Sequence, residues 1–453
     1  MMNRIIRKIK NYIKFIIKSF LYYSLKHEFS LVFYKTLLII KKQQLYIFKL
    51  LSKKKSFTQD VIENNIDYKI TSAFELIITQ LEGGGVQSVV DMTIKLNPST
   101  LYIVIFLKDE FTCVIKKYFN DEVVNVSNAA SSEIALKNFI NQKSCKKITI
   151  HHLLKSYLPE MINVLKTQNS LQVPIYTHLH DFFYICPTIF LMNNKSKFCN
   201  LDAPEKCHKC SIIQAAMSPF LNFRQDIHPL KFVNIQAWRD SAKILFEISS
   251  KIIAYSQTTV DLYKKAFVFS DNKIEISDAL FSFSKHFVKL PEDYNSFKTD
   301  TLNIAMIGTW HYIKGSNIFC EMQKIIDNNQ TLYKNVNLHF IGKGFYEIGS
   351  KIKNLGPYNS NNFAQIIHSN SISVCIIPSI LSETFSIATQ DCLEVGIPVV
   401  TFGVGAMKER LQNNPNALVI NEISNESVSK LSDIEMAKIT LDRILNFAAK
   451  KRN

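Results

Sequence analysis

Residues 377–400 read IPSILSETFSIATQDCLEVGIPVV. The apolar run into Ile377 has the texture of a buried strand, and the loop after it carries Glu383. A helical stretch follows, with Asp391 about two turns beyond Glu383, and Gly396-Ile397-Pro398 then breaks the helix before a second strand begins at Val399. Strand, helix and strand in this order form a βαβ unit, whose strands are parallel and covered on both faces. At the start of such a helix the backbone N–H groups of Thr384, Phe385, Ser386 and Ile387 are unpaired and favour an anion. Two carboxylates beside that site accept pairs of vicinal hydroxyls well, so one can hold a sugar and the other a ribose.

The same texture extends outward. Short apolar runs alternate with helical stretches at Phe74 to Ile78, Leu101 to Phe106, Ile148 to Ile150, Val173 to Thr177 and Ile252 to Ala254. A second series runs through Leu302 to Ile307, Val336 to Ile341, Ile372 to Ile377 and Pro398 to Phe402. At 453 residues the chain exceeds one ordinary core. The expectation is therefore an α/β protein of two doubly wound, Rossmann-like parallel-sheet domains, over residues 71–290 and 300–430, facing a cleft. The join is expected near residues 285–300, around Leu290-Pro291-Glu292-Asp293. Residues 431–453 read as a C-terminal helix able to cross back to the first domain.

Residues 1–57 read differently, as a basic helical arm. Between Met1 and Ser56 there are fourteen Lys and Arg against Glu28 alone, which leaves only +3 of the formal +16 for the rest of the chain. A nearly neutral body argues against a nucleic-acid groove. On a helical projection Arg4, Arg7, Lys8, Lys10, Lys14 and Lys18 fall opposite Ile5, Ile6, Ile9, Ile13, Ile16, Ile17 and Phe20. That pattern suits a helix lying in an anionic membrane surface, and lysines interrupt it too often for a membrane span or a signal-peptide core. The alternative is a helix packed on the protein's own body with a solvated lysine face.

Nine cysteines without a cleavable signal pattern read as reduced thiols in the cytosol. Four of them, Cys186, Cys199, Cys207 and Cys210, fall close together and end in a C-x2-C pair. This set can close a structural zinc site, or remain four thiols in a loop.

Polar residues after the predicted strands are the remaining candidates. Gly83-Gly84-Gly85 follows the first strand, and Gly84 and Gly85 let a backbone approach a ligand closely. His178-Leu179-His180-Asp181 follows another strand, and His180 can hydrogen-bond a hydroxyl. Lys314, in Gly308-Thr309-Trp310-His311-Tyr312-Ile313-Lys314-Gly315, can neutralise a diphosphate.

In this order the segments resemble the retaining glycosyltransferases of family 4, which have the GT-B fold. The resemblance spans about Ile77 to Leu411, and the family's paired carboxylates appear as Glu383 and Asp391. It includes Ile150-His151-His152-Leu153-Leu154, His180-Asp181 with Cys186-Pro187, Gly342, Gly356-Pro357-Tyr358 and Gly403-Val404-Gly405-Ala406. It implies that residues 71–290 form the acceptor side and 300–430 the nucleotide-sugar side. It implies further that Glu383 and His180 contact the transferred sugar, Asp391 the ribose and Lys314 the diphosphate, with Gly84, Gly85, Thr384, Phe385, Ser386 and Ile387 around the donor. Two positions depart from the family pattern: Asp391 is one methylene shorter than the usual Glu, and Thr309 replaces a common Arg.

The implied reaction is transfer of a sugar from a nucleotide-diphosphate sugar to a glycan or lipid-linked acceptor, with retention of configuration and no metal or other cofactor required for catalysis. With the basic arm, this places the protein on the cytoplasmic face of the bacterial inner membrane, in surface-polysaccharide synthesis. The alternatives are an epimerase or phosphorylase of related fold, or a non-catalytic, membrane-bound sugar-binding subunit.

Overall fold

The structure is a computed structural model. It describes residues 68–452 except 81–84, 109–111, 130, 154–157, 169–171, 187–188, 194–196, 202–206, 208–234, 278–286 and 345–350. The basic arm, Gly84 and Cys210 lie outside the described residues. Among those described, no helix is long and apolar enough to cross a membrane.

The first domain runs β1 (Phe74–Gln80), α1 (Gly85–Leu96), β2 (Tyr102–Leu107), β3 (Cys113–Phe119), β4 (Glu122–Ala129), α2 (Ser132–Ile140) and β5 (Cys145–Ile150). It continues with α3 (Leu158–Gln168), β6 (Ile175–His178), α4 (Ile235–Ile248), β7 (Lys251–Ala254), α5 (Gln257–Lys264) and β8 (Ile274–Ile276). The sheet order is β4-β3-β2-β1-β5-β6-β7-β8. From β2 to β8 all neighbours are parallel. All six residues of β2 are buried, as expected of a strand with both faces covered.

The β3–β4 pair is an antiparallel hairpin on the sheet edge that the hydrophobic pattern does not disclose. Asn120 and Asp121 make its turn, both at positive φ (54° and 64°), a conformation these two residues tolerate. Most of β4 is exposed, so no buried run betrays it.

The second domain runs β9 (Leu302–Trp310), α6 (Ser316–Asn328), β10 (Val336–Gly344), β11 (Lys353–Asn354), α7 (Phe363–Ser369) and β12 (Val374–Ile377). It continues with α8 (Ile387–Val395), β13 (Val399–Gly403), α9 (Ala406–Leu411), β14 (Ala417–Ser424) and α10 (Asp433–Arg452). Its sheet, β11-β10-β9-β12-β13-β14, is parallel throughout. The stretch after residue 286 already belongs here, since Leu290 N donates to Val395 O (3.0 Å) and Tyr294 Oη to Ile372 O (2.6 Å). Helix α10 lies along α6 and β14, and Arg452 donates to Thr299 O and Asp300 O of the same domain (2.8 and 3.0 Å). Contact with the first domain occurs just before that helix, where Lys197 Nζ donates to Leu431 O (2.9 Å).

Both sheets reverse direction of growth once, between β1 and β5 and between β9 and β12. Ligands of doubly wound sheets bind beyond the carboxyl ends of the strands at such points. The two reversal points meet: Thr384 Oγ1 donates to His180 O (2.7 Å), and Phe385 packs with Val89, Met92 and Tyr255.

Candidate functional site

Lys314 leaves β9 through a short 3-10 turn, Tyr312–Lys314, and Glu383 leaves β12 through the loop quoted at the outset. At the reversal point the two side chains pair, with Lys314 Nζ donating to Glu383 Oε1 at 2.5 Å. Ser379 Oγ donates to the same oxygen at 2.9 Å. Glu383 is 9% exposed, so a carboxylate in this position has lost most of its water and depends on these partners. The two segments are held against each other by Ile380 N donating to Ile313 O (3.0 Å). That approach requires Gly315, which lies at φ 85°, since a Cβ there would fall 2.0 Å from Pro378 O.

The loop carrying Glu383 is fixed a second time from β13. Gly405 forms a parallel bridge with Glu383, and Ala406 N donates to Glu383 O (2.8 Å). Thr384 reaches the first domain through His180 O, and Phe385 is buried against it. Ser386 precedes α8 at φ 65°, an unusual backbone for serine. Ile387 opens the helix, its Cδ1 lying 3.3 Å from where a Cβ on Gly85 would be. Gly85 thus borders the helix start, whereas Gly84 lies outside the described residues.

Asp391 is 5% exposed and accepts from Tyr358 Oη at 2.8 Å, a partner supplied by the loop after β11. Tyr358 is itself stacked on Phe363 (centroids 4.3 Å apart). Burial raises the Asp391 carboxyl to about 7, the Tyr358 hydroxyl opposes the rise and Glu394 adds to it. A folded-state value above the unfolded value of about 4 means that the protonated form is the stabilising one. Its contribution is complete below pH 4 and is lost as pH rises through 7. Folding stability should therefore fall over this window by at most about 4 kcal/mol, and Asp391→Asn should flatten that component. Denaturant unfolding of both proteins across the pH range reads it directly.

One cationic side chain at the site escaped the sequence reading. Arg410, from α9, lies over the Phe385 ring at 3.7 Å, donates to Phe385 O and to Ser386 O (3.4 Å), and donates to Gln390 Oε1 (2.7 Å). Burial lowers its pKa to about 10, with Glu409 and Glu383 opposing, so it remains charged at neutral pH. It therefore brings positive charge close to Glu383 although the motif position, Thr309, carries none. By holding the two carbonyls, it fixes the backbone that begins α8. Arg410→Ala should weaken binding of a ligand phosphate there by roughly 10-fold, the scale of one charge-assisted hydrogen bond. Arg410→Lys should fail to restore it, because a point charge cannot make both contacts. Isothermal titration with the ligand reads both.

On the first domain, His180 lies in a stack with His151, His178 and Tyr255. His151 Nδ1 and His180 Nε2 share a hydrogen bond of 2.9 Å, and His178 Nδ1 and Tyr255 Oη one of 2.6 Å. Burial lowers the pKa of all three imidazoles, that of His178 to about 3, so the rings are neutral near pH 7. Next to them His152 Nε2 meets Asp181 Oδ2 at 2.7 Å. The repeated histidines were visible in the sequence; their convergence, and the part of Tyr255, come from the ends of three separate strands, β5, β6 and β7.

The cysteine set is incomplete among the described residues. The sulfurs of Cys186, Cys199 and Cys207 do not form a group of three, and Cys210 lies outside the described residues. Cys207 Sγ accepts from Arg239 Nη2 at 3.2 Å.

Two Rossmann-like domains meet at their strand ends, with paired charges at the reversal point of the second, where doubly wound sheets place their ligands. Residues 301–434 match the family described as Glycosyl transferases group 1. Over these residues, which span most of the second domain, the chain is similar to that family. Similar solved structures include Anabaena Alr3699/HepE in complex with UDP (13% identity, 83% of this chain and 98% of that chain covered, TM-score 0.45). Others are sucrose-phosphate synthase from Thermosynechococcus elongatus (11%, 83% and 97%, 0.47) and a UDP-forming trehalose-phosphate synthase from Burkholderia xenovorans (12%, 84% and 93%, 0.46). No curated protein sequence matches the chain.

Proposed function

We propose that the protein transfers a sugar from a nucleotide-diphosphate sugar to a glycan or lipid-linked acceptor, in the manner of the retaining family 4 enzymes. The observation that carries this reading is the convergence of Lys314 and Glu383 within a glycosyltransferase group 1 domain. The donor's diphosphate takes Lys314 and the N–H groups of Phe385, Ser386 and Ile387, where the α8 dipole favours negative charge. Glu383 then turns to a hydroxyl of the transferred sugar, Asp391 faces the ribose and His180 contacts the sugar from the opposite domain. As the glycosidic bond breaks, charge develops on the leaving diphosphate, and Lys314 with the helix start stabilises it without a metal. Closure of the first domain over the donor excludes water and limits hydrolysis.

Incubating the purified protein with a panel of nucleotide sugars tests the reading. The expected outcome is release of the nucleoside diphosphate together with a glycosylated acceptor. Isomerised nucleotide sugar with no diphosphate released would mark an epimerase instead.

The place of action proposed is the cytoplasmic face of the bacterial inner membrane, in surface-polysaccharide synthesis, with the basic arm as the attachment. Removing residues 1–56 should abolish co-sedimentation with anionic liposomes and leave the folding transition of the remainder in place. Equal sedimentation of full-length and truncated protein would refute the attachment. Cys186, Cys199, Cys207 and Cys210 are proposed to hold one structural zinc; less than one equivalent of metal after reducing, chelator-free purification would remove it from the account.

A further inference from the structure

Among the described residues, one group of His, Cys, Asp or Glu side chains brings three ligand atoms within 4.8 Å of one another: His151, His178 and His180. They stand on the carboxyl ends of β5 and β6, at the reversal point of the first sheet. Carboxylates are absent from the group, so it does not resemble a magnesium or calcium site, which needs oxygen ligands. Imidazole ligands suit zinc and its neighbours in the first transition row. We propose that His151, His178 and His180 form a binding site for a single Zn2+ ion at the cleft end of the first domain, with the fourth position open.

Three further observations favour this. His151 Nε2 is buried without a hydrogen-bond partner, an arrangement that costs about 1–3 kcal/mol where nothing compensates it. His178 is held by Tyr255 Oη at 2.6 Å, the kind of outer partner that fixes a ligating ring in orientation. The backbone is tied on both sides, by His151 N donating to Ile78 O (2.9 Å) and by Thr384 donating to His180 O (2.7 Å), so the ligands ride on rigid strand ends. Tetrahedral zinc with bonds of about 2.0–2.1 Å places its nitrogens roughly 3.4 Å apart. The three ligand atoms lie within 4.8 Å of one another, so binding draws the stacked rings closer together.

An ion held here occupies the lone pair of His180. On the donor-site reading above, on which this clause alone rests, it would keep His180 from the sugar and act as an inhibitor, not as a catalytic metal.

The test is a cobalt titration of the full chain carrying Cys207→Ser and Cys210→Ser, which removes the C-x2-C thiols. The expected result is one equivalent of Co2+ with a tetrahedral visible spectrum, no thiolate charge-transfer band and full displacement by Zn2+. His151→Gln and His178→Gln should each abolish it while leaving the far-ultraviolet circular dichroism unchanged. No cobalt binding, or binding that survives both substitutions, would overturn the site. X-ray absorption of the zinc-loaded cysteine variant needs no histidine change and so covers the case of a misfolded variant. It should show imidazole scattering at about 2.0 Å, and a shell lacking imidazole would overturn the proposal. Neither measurement uses a nucleotide, so their failure leaves the transferase reading intact, and failure of that reading leaves the metal site intact.

Discussion

Glu383→Gln should lower kcat for sugar transfer by roughly 10²–10³-fold, the scale found when one preorganised polar group facing a developing charge is removed. The amide has nearly the shape of the carboxylate, and its oxygen can still accept from Ser379, which now bonds Oε1 at 2.9 Å. The charge opposite Lys314 is lost, however, and with it the ionic half of the 2.5 Å contact. Binding of the nucleoside diphosphate alone should persist, because Lys314 is then released to the phosphates. Steady-state kinetics with matched calorimetry separates the two effects. Wild-type kcat in the variant would place the chemistry elsewhere.

The second large effect is expected one shell away, at Gly405. This residue lies at φ 65°, and a Cβ added to it would fall 2.5 Å from both Glu383 N and Glu383 O and 2.8 Å from Ser382 Oγ. Both backbone atoms belong to the bridge between the two segments, so no flexible side chain can give way. Gly405→Ala must push the Glu383 loop outward, and a misplacement on the order of 1 Å costs about 10²-fold in rate. Strain of this kind also costs about 1–3 kcal/mol of stability. The expected signature is a fall in kcat/KM far larger than the fall in stability accounts for at assay temperature. Rate and melting temperature measured on the same preparation read it. Activity within twofold of wild type would show that the bridge does not position Glu383.

Much of this arrangement is legible in the sequence because it depends on burial along single strands. The runs around Ile77, Val104, Ile304 and Ile376 are apolar without alternation, and parallel strands covered by helices on both faces demand that. Lys314 and Glu383 were readable as residues immediately beyond such strands, and the fold joins them as the reversal-point rule requires. The β3–β4 hairpin was not readable, because Val123, Val124 and Val126 are exposed at the sheet edge and bury no face. Arg410, and the partner of Tyr358 in the quoted Gly356-Pro357-Tyr358 segment, were not readable for a different reason. Each reaches the site from an element with no strand-end signal of its own, and only the tertiary packing of α9 on Phe385, or of the β11 loop on Asp391, gives it a partner. Thr309 illustrates the same limit: it carries no charge where the family pattern has an arginine, and the guanidinium beside Phe385 comes from Arg410, 101 positions further along the chain.

On the proposed function, the strand ends of the second domain bind a nucleotide-diphosphate sugar through Lys314 and the start of α8. Thermal unfolding in the presence of a panel of nucleotide sugars tests it most directly, since a ligand that binds only the folded state must raise the transition temperature. The expected result is a concentration-dependent rise for one nucleotide series, strongly reduced in Lys314→Ala. No rise with any nucleotide sugar, or the same rise in wild type and Lys314→Ala, would contradict it.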